Sequence, residues 1–260
     1  MSTHALPGRG LRPGPDAWLQ LGLAESRMVA RDTSGLLVPI GMPVLIMVLA
    51  GLDAQEVVPG WGGMTVFDVY VVPLVLVMVV ALVGVVNMPS FLATYRKTGV
   101  LRRLAVTPVH PAMVLVAQLL TSLVQTILGV AIALGVAATM FGLAAPRDLA
   151  AVVGVMTLAT AAMYALGMLV AAVAPTPNAS VALGLTIFFA IGATGGLFTS
   201  MEALPDAMAS VGRVLPFGAA HESLQAAWLG QALPLTPLLA LAATAVVAGA
   251  LAAVWFRWDR

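Results

Sequence analysis

The chain has 260 residues, 61% of them hydrophobic and 9% charged, with 12 basic and 11 acidic side chains and a net charge of +1. A soluble domain carries roughly a quarter charged residues, so this composition excludes a water-facing globule and makes lipid the principal solvent. Cysteine is absent, which excludes disulfides and thiolate chemistry.

Residues 1–34 form the first element, with Arg9, Arg12, Arg27 and Arg31 and an amphipathic stretch from about Asp16 to Thr33. They hold no apolar run long enough for a cleavable signal peptide, so the first span is expected to direct insertion. Charge-free runs then predict spans at 35–52, 70–90 and 111–140. The next run, Leu149 to Met201, would make a helix roughly 80 Å long, far beyond a hydrocarbon core of about 30 Å. Pro175-Thr176-Pro177-Asn178 must break it, giving spans at 149–173 and 179–199. A region at about 200–231 alternates short apolar runs with Pro205 and Pro216, a last span covers 233–256, and residues 257–260 are a tail. The apolar runs do not alternate with period two, which argues against a barrel. The expected fold is an all-α integral membrane protein, a single six-span domain over 35–256.

Of the basic residues, only Arg147 and Arg213 fall on the side opposite the termini, where Asp53, Glu56, Asp68, Asp148, Glu202, Asp206 and Glu222 lie. That bias puts both termini in the cytoplasm. Trp18, Trp61, Trp228, Trp255 and Trp258 all lie outside or at the ends of the spans, as expected of indoles at headgroup level. Lys97 is the only lysine, a bias suggesting a GC-rich bacterial genome and hence a bacterial cytoplasmic membrane.

Catalytic signatures are missing. Lys97 follows Arg96, so a GxxxxGK[ST] nucleotide loop is impossible, and His4, His110 and His221 lack metal-ligand spacing. No predicted span carries an Asp, Glu, Lys, Arg or His in its interior. Ion-coupled carriers need such residues at membrane depth. Any uphill transport must therefore draw its energy from another polypeptide, and no enzyme activity is expected of this chain. His221 and Glu222 read as solvated loop residues.

The segment between spans 2 and 3 carries apolar residues at 91, 92, 95, 101 and 104, roughly along one helical face, with basic residues beside them. That is the pattern of a helix lying on the membrane surface, at about 90–108. Tyr95-Arg96-Lys97-Thr98-Gly99-Val100-Leu101-Arg102, followed by Leu104 and Thr107-Pro108, resembles the cytoplasmic coupling helix of the permeases of type-2 ATP-binding-cassette (ABC) exporters, particularly the daunorubicin-resistance-like drug exporters. Gly99, Leu101, Leu104 and Thr107-Pro108 match, while the acidic residues common in that family are absent. The Asp16 to Thr33 stretch looks like the family's interfacial helix. Gly195-Gly196-Leu197-Phe198, Leu204-Pro205 and Leu215-Pro216 occur in the order seen where the family folds short outer re-entrant helices.

The resemblance implies a permease with no cofactor of its own, paired with a second copy or a close homologue through spans 1 and 5. It implies two copies of a separate ATPase that binds ATP and Mg, contacted through Tyr95, Arg96, Lys97, Gly99, Leu101, Arg102 and Arg103, with the substrate path mainly along spans 1, 2 and 5. The four cationic side chains in that set suit ATPase carboxylates or lipid phosphates equally. Gly192-x-x-x-Gly196 permits close helix approach and is the expected dimer contact. Stripes of Gln118, Thr121, Ser122 and Gln125 in span 3, and of Thr157, Thr160 and Tyr164 in span 4, are expected to hydrogen-bond each other across neighbouring helices rather than line a path. Walls rich in Val, Leu, Ala and Met suit a lipophilic or amphipathic cargo such as a drug, antibiotic or lipid-like compound. The alternatives are a lipid-linked glycan or peptide exporter and a non-transporting membrane assembly or sensor protein; membrane lipids, and no nucleic acid, are the other expected partners.

Overall fold

The computed structural model describes residues 33–98 and 112–255. Within them the chain forms α1 (33–53), α2 (Phe67–Lys97), α3 (Ala112–Phe141), α4 (Leu149–Val173), α5 (Pro177–Thr194), α6 (Asp206–Val214), α7 (Pro216–Trp228) and α8 (Leu235–Trp255). Extended pairing among the described residues is limited to one antiparallel bridge, Val57 with Thr65. Five helices, α2 to α5 and α8, are long and apolar enough to cross a membrane; the apolar part of α1, Leu37–Asp53, is shorter.

Local chemistry sets the boundaries. Asp148 caps α4 by accepting from the Ala151 N–H at 2.9 Å, and Thr176 caps α5 by accepting from Ala179 N–H at 3.1 Å, with Pro177 at the first helical position. The expected break at 175–178 is therefore real. Helix α5 stops at Thr194, short of the expected 199, because the Gly195 and Leu197 N–H groups both return to Gly192 O and Gly196 takes φ +97°. Thr65 and Asp68 form a reciprocal capping pair at the start of α2, and the second Asp68 oxygen accepts from Ala144 N–H at 2.9 Å.

Helix α2 is the axis of the bundle, and Val72 through Asn87 are buried on every side, as an apolar surface all round a helix requires. The other helices come against its backbone at glycines. A Cβ on Gly167 of α4 would overlap Gly84 O, and one on Gly184 of α5 would meet Val85 O. Three wide π turns interrupt α1 and α2: Leu37–Gly41, Phe67–Val71 and Leu82–Asn87. Each ends two residues before a proline, Pro43, Pro73 and Pro89 respectively. A proline ring clashes with the carbonyl four residues back, and that carbonyl falls inside the wide turn in all three cases.

This device corrects one expectation. A separate surface helix starting near residue 90 was expected, yet 90–97 continue α2 without a break, because the wide turn absorbs Pro89. Phe91, Leu92 and Tyr95, expected to face lipid, are buried inside the bundle, and α4 and α5 pack against this end of α2. Residues 99–111 and the N-terminal interfacial segment up to residue 32 lie outside the described residues.

The two ends of the bundle differ. One carries the connections 54–66, 142–148 and 195–234, and the other carries the start of α1, the end of α2 and the α4–α5 turn. At the loop-rich end α7, only 13 residues, is buried along most of its length against α2, α4 and α8. It reaches its place through close glycine packing: Gly218 meets Gly195 and Gly212, and Gly212 meets Thr194 O. Trp228, expected at headgroup level, is instead 2% exposed in this core.

Candidate functional site

The first, second and fifth helices enclose a cleft of about 350 Å³ at the end opposite the loops. Helix α1 contributes Gly35, Val38 and Pro39, α2 contributes Asn87, Ser90 and Thr94, and α5 contributes Asn178 and Val181. The wide turns 37–41 and 82–87 both lie on its wall, so the irregular backbone of α1 and α2 is concentrated where the cleft opens.

Its floor is a buried polar knot. Asn87 Nδ2 donates to Gly35 O of α1 and to Gln125 Oε1 of α3, both at 2.9 Å, and Gln125 Nε2 donates to Gly35 O at 2.6 Å. Asn87 is 8% exposed and Gln125 3%. One asparagine on the central helix thus ties α1 and α3 to it and fixes the width of the cleft. Higher on the wall Ser90 Oγ donates to Asn87 O at 2.7 Å and Thr94 Oγ1 to Ser90 O at 2.9 Å. These two hydroxyl donors are already engaged, while their oxygens keep acceptor capacity. The lining combines apolar side chains with a few fixed polar atoms, the composition of a small-molecule site.

At the same end α2 terminates against α4. The Arg96 guanidinium donates to Ala171 O and, at 2.7 Å, to Ala174 O, the last carbonyls of α4. A cation there satisfies orphan acceptors and complements the helix dipole. Tyr95 is buried in a cluster with Leu92, Tyr164 and Ala171, and Lys97 is exposed. Gly99, Leu101, Arg102 and Arg103 lie outside the described residues.

The stripes in α3 and α4 meet less than expected. Helices α3 and α4 flank α2 rather than packing along each other, and the side-chain bond between them runs from Tyr164 of the α4 stripe to Thr126, which lies outside the expected α3 stripe, hydroxyl to hydroxyl at 2.8 Å. Gln125 turns to α1 and α2, Gln118 Nε2 donates to Ser122 within α3 at 3.4 Å, and Thr157 and Thr160 bond carbonyls of α4 itself. A short connection made the two helices look like direct neighbours, but the uniformly apolar α2 takes the place between them.

Gly192 and Gly196 face into the chain. A Cβ on Gly192 would meet Leu197, and Gly196 lies against His221 and Tyr70. His221 is 1% exposed, where a solvated loop residue was expected; its ring packs edge-on against Tyr70 at 4.9 Å, and Nε2 lies 3.3 Å from Tyr70 O. Burial pushes its pKa down to about 4, opposed in part by the hydrogen bond to the Tyr70 backbone. Tyr70 Oη donates to Gly196 O at 2.8 Å, so this cluster seals the α5 end against α2 and α7. Gly195 packs on Gly218, Pro216 opens α7 and Pro205 precedes α6. Asn87 was missed in the sequence, although it is a lone amide on an otherwise apolar helix.

An all-helical bundle with several membrane-length apolar helices around a buried central one defines a multi-pass membrane protein. Residues 62–254 match the model of the ABC-2 family transporter proteins, and the chain belongs to that family. The membrane subunits of this family are transport components that generally work with an ATPase subunit. No curated protein matches the chain.

Proposed function

We propose that this chain is the six-span permease of an ATP-driven exporter of the drug-resistance type, moving a lipophilic or amphipathic compound outward across a bacterial cytoplasmic membrane. Helices α1 to α5 and α8 are the spans, α6 and α7 are the outer re-entrant elements, and both termini are cytoplasmic. The observation that carries the reading is the cleft between α1, α2 and α5, with its apolar walls and the Asn87 knot beneath, in a member of a transporter family. It opens at the end that the distribution of basic residues assigns to the cytoplasm. Cargo enters there, and motion of a separate ATPase reaches the bundle through Tyr95 to Arg103, a segment whose first residues, Tyr95 to Lys97, form the end of α2. Arg96 passes part of it to α4 through the carbonyls it binds.

Two copies meet through α1 and α5. Leu45 and Leu49 of α1, and Leu183 and Phe189 of α5, are exposed apolar side chains, as is Phe198 stacked on Phe189. With Gly192 and Gly196 turned inward, these side chains, rather than a glycine seam, would make the contact.

The test is ATP-dependent efflux of a lipophilic dye from cells and from proteoliposomes holding the chain with its cassette ATPase. Val181→Trp, which fills the cleft, is expected to stop efflux while the ATPase still copurifies. Undiminished efflux, or no copurifying ATPase, overturns the reading.

A further inference from the structure

The cleft between α1, α2 and α5 has a hydrogen-bonding polarity, set by the hydrogens its polar groups have already committed. Gly35 O can only accept, so the amide atoms that reach it from Asn87 and from Gln125 are both nitrogens, at 2.9 and 2.6 Å. Gln125 Oε1 takes the other Asn87 Nδ2 hydrogen at 2.9 Å. Both Asn87 donors are thus spent inside the knot, and among the described residues its Oδ1 bonds nothing. That oxygen is not sealed from the surface, and Asn87 lines the cleft, so the floor presents an acceptor.

The wall repeats the pattern. Ser90 and Thr94 follow Asn87 at offsets of three and seven, on one face of α2 over about 10 Å. Their single hydroxyl hydrogens go to Asn87 O and Ser90 O, which leaves only lone pairs for a ligand. Three acceptors therefore descend α2, from the half-buried Thr94 to Asn87 at 8% exposure. Asn178 of α5 is exposed, can turn either edge of its amide inward and sets no preference. Among the described residues no charged side chain lines the cleft, so an ion there would lose its hydration with no partner of opposite charge. At about 350 Å³ the space sits near the lower end of the ~300–1,000 Å³ of small-molecule sites, which suits the head of an amphiphile rather than the whole of one.

On the reading of the cleft as the cargo's entry, we propose that it selects an uncharged amphiphile whose head carries hydroxyl or amide hydrogens, read by Asn87 Oδ1, Ser90 Oγ and Thr94 Oγ1. The head steps from Thr94 to Ser90 to Asn87, exchanging water for one acceptor at a time, while the chain behind it lies against Val38, Val181 and Leu185. A head of equal size without a donor would strip water from these oxygens and return nothing.

The experiment compares four amphiphiles that share one fluorescent tail and differ in the head: a diol, its dimethyl ether, a carboxylate and a trimethylammonium. Binding to the purified full-length chain in detergent is read by fluorescence anisotropy, and efflux by proteoliposomes that also hold the cassette ATPase. The diol should bind roughly tenfold tighter than its ether and than either ion. Ser90→Ala combined with Thr94→Val leaves the knot intact and should cut that preference to about threefold. Asn87→Leu combined with Gln125→Leu, which removes the floor acceptor, should cut it as well; the Ser90 and Thr94 pair decides if this variant folds poorly. Val181→Trp, which fills the cleft, should abolish the preference. Equal binding of diol and ether, tighter binding of either ion, or a preference untouched by the Ser90 and Thr94 pair overturns the proposal. Equal binding with efflux of all four heads would refute the head selection and leave the exporter standing. Head-selective binding with no efflux of any head would uphold the selection and overturn the exporter.

Discussion

Replacing Asn87 by leucine should destabilise the bundle by roughly 2 kcal/mol, and the same loss should nearly vanish when Gln125 is already leucine. Asn87 makes two interhelical bonds, to Gly35 O and Gln125 Oε1. Such bonds average about 0.6 kcal/mol in a membrane, so the pair is worth about 1 kcal/mol. The substitution also strands Gln125 Oε1, on a side chain 3% exposed, and an unpartnered buried acceptor costs about 1–3 kcal/mol. Gln125→Leu likewise removes two bonds and strands Asn87 from one partner, again roughly 2 kcal/mol. The double variant removes both side-chain amides together and strands neither, so it should cost about 2 kcal/mol rather than about 4, a coupling of about 2. The assay is reversible unfolding of the four proteins by titrating sodium dodecyl sulfate into mild detergent micelles, followed by far-ultraviolet circular dichroism. Losses that add to within about 0.5 kcal/mol would show that the two amides act independently, and the idea that they hold α1 on α2 as one knot would fail.

Arg96→Gln should lower stability by about 1 kcal/mol, since it removes a cation from the last carbonyls of α4; Arg96→Lys should recover part of it, and identical melting temperatures for all three would refute the role. Stability should be flat above pH 6.5 and fall as pH drops from 6.5 to about 4, because the unfolded His221 imidazole takes a proton that the buried one refuses. The full loss is roughly 3 kcal/mol, and His221→Gln should flatten the profile over that window; a slope unchanged by the substitution would count against the assignment. Gly167→Val should lower melting sharply, by about 3 kcal/mol or more, since its side chain would run into the Gly84 carbonyl of α2. Gly135→Ala, on an open face of α3, should be neutral or stabilising in the same melt.

What could be read from the sequence followed from solvent and length. Charge-free runs located α1 and the five membrane-length helices among the described residues, and α4 was placed to the residue because Asp148 caps it and Pro175 and Pro177 follow it. Prolines inside a run were harder, because Pro89 reads as a stop and only the wide turn before it lets α2 continue to Lys97. Residues 201–231 show the limit most clearly. Pro205, Pro216 and the charges at Glu202, Asp206, Arg213 and Glu222 divide them into runs too short for a span, so His221 read as a solvated loop residue and Trp228 as a headgroup-level one, yet the glycines at 195, 212 and 218 let α7 sink into the core. The cleft wall was partly legible, since spans 1, 2 and 5 were named through the resemblance. Its floor was not, because a single Asn87 on α2 has no periodicity to signal it, and its partners lie on two other helices.

The burial of α2 also bears on how the chain is made. A nascent chain delivers its N-terminal part first, so α2 is made after α1 and before α3, α4, α5 and α7 exist to cover it. For that interval the helix destined for the centre must live as a lipid-facing one. Its valine and leucine surface, continuous on every side, makes the wait harmless, and Gly167 and Gly184 on the later helices α4 and α5 let them close on its backbone at Gly84 and Val85 when they arrive. The same residues thus serve two solvents in succession, first lipid and then protein.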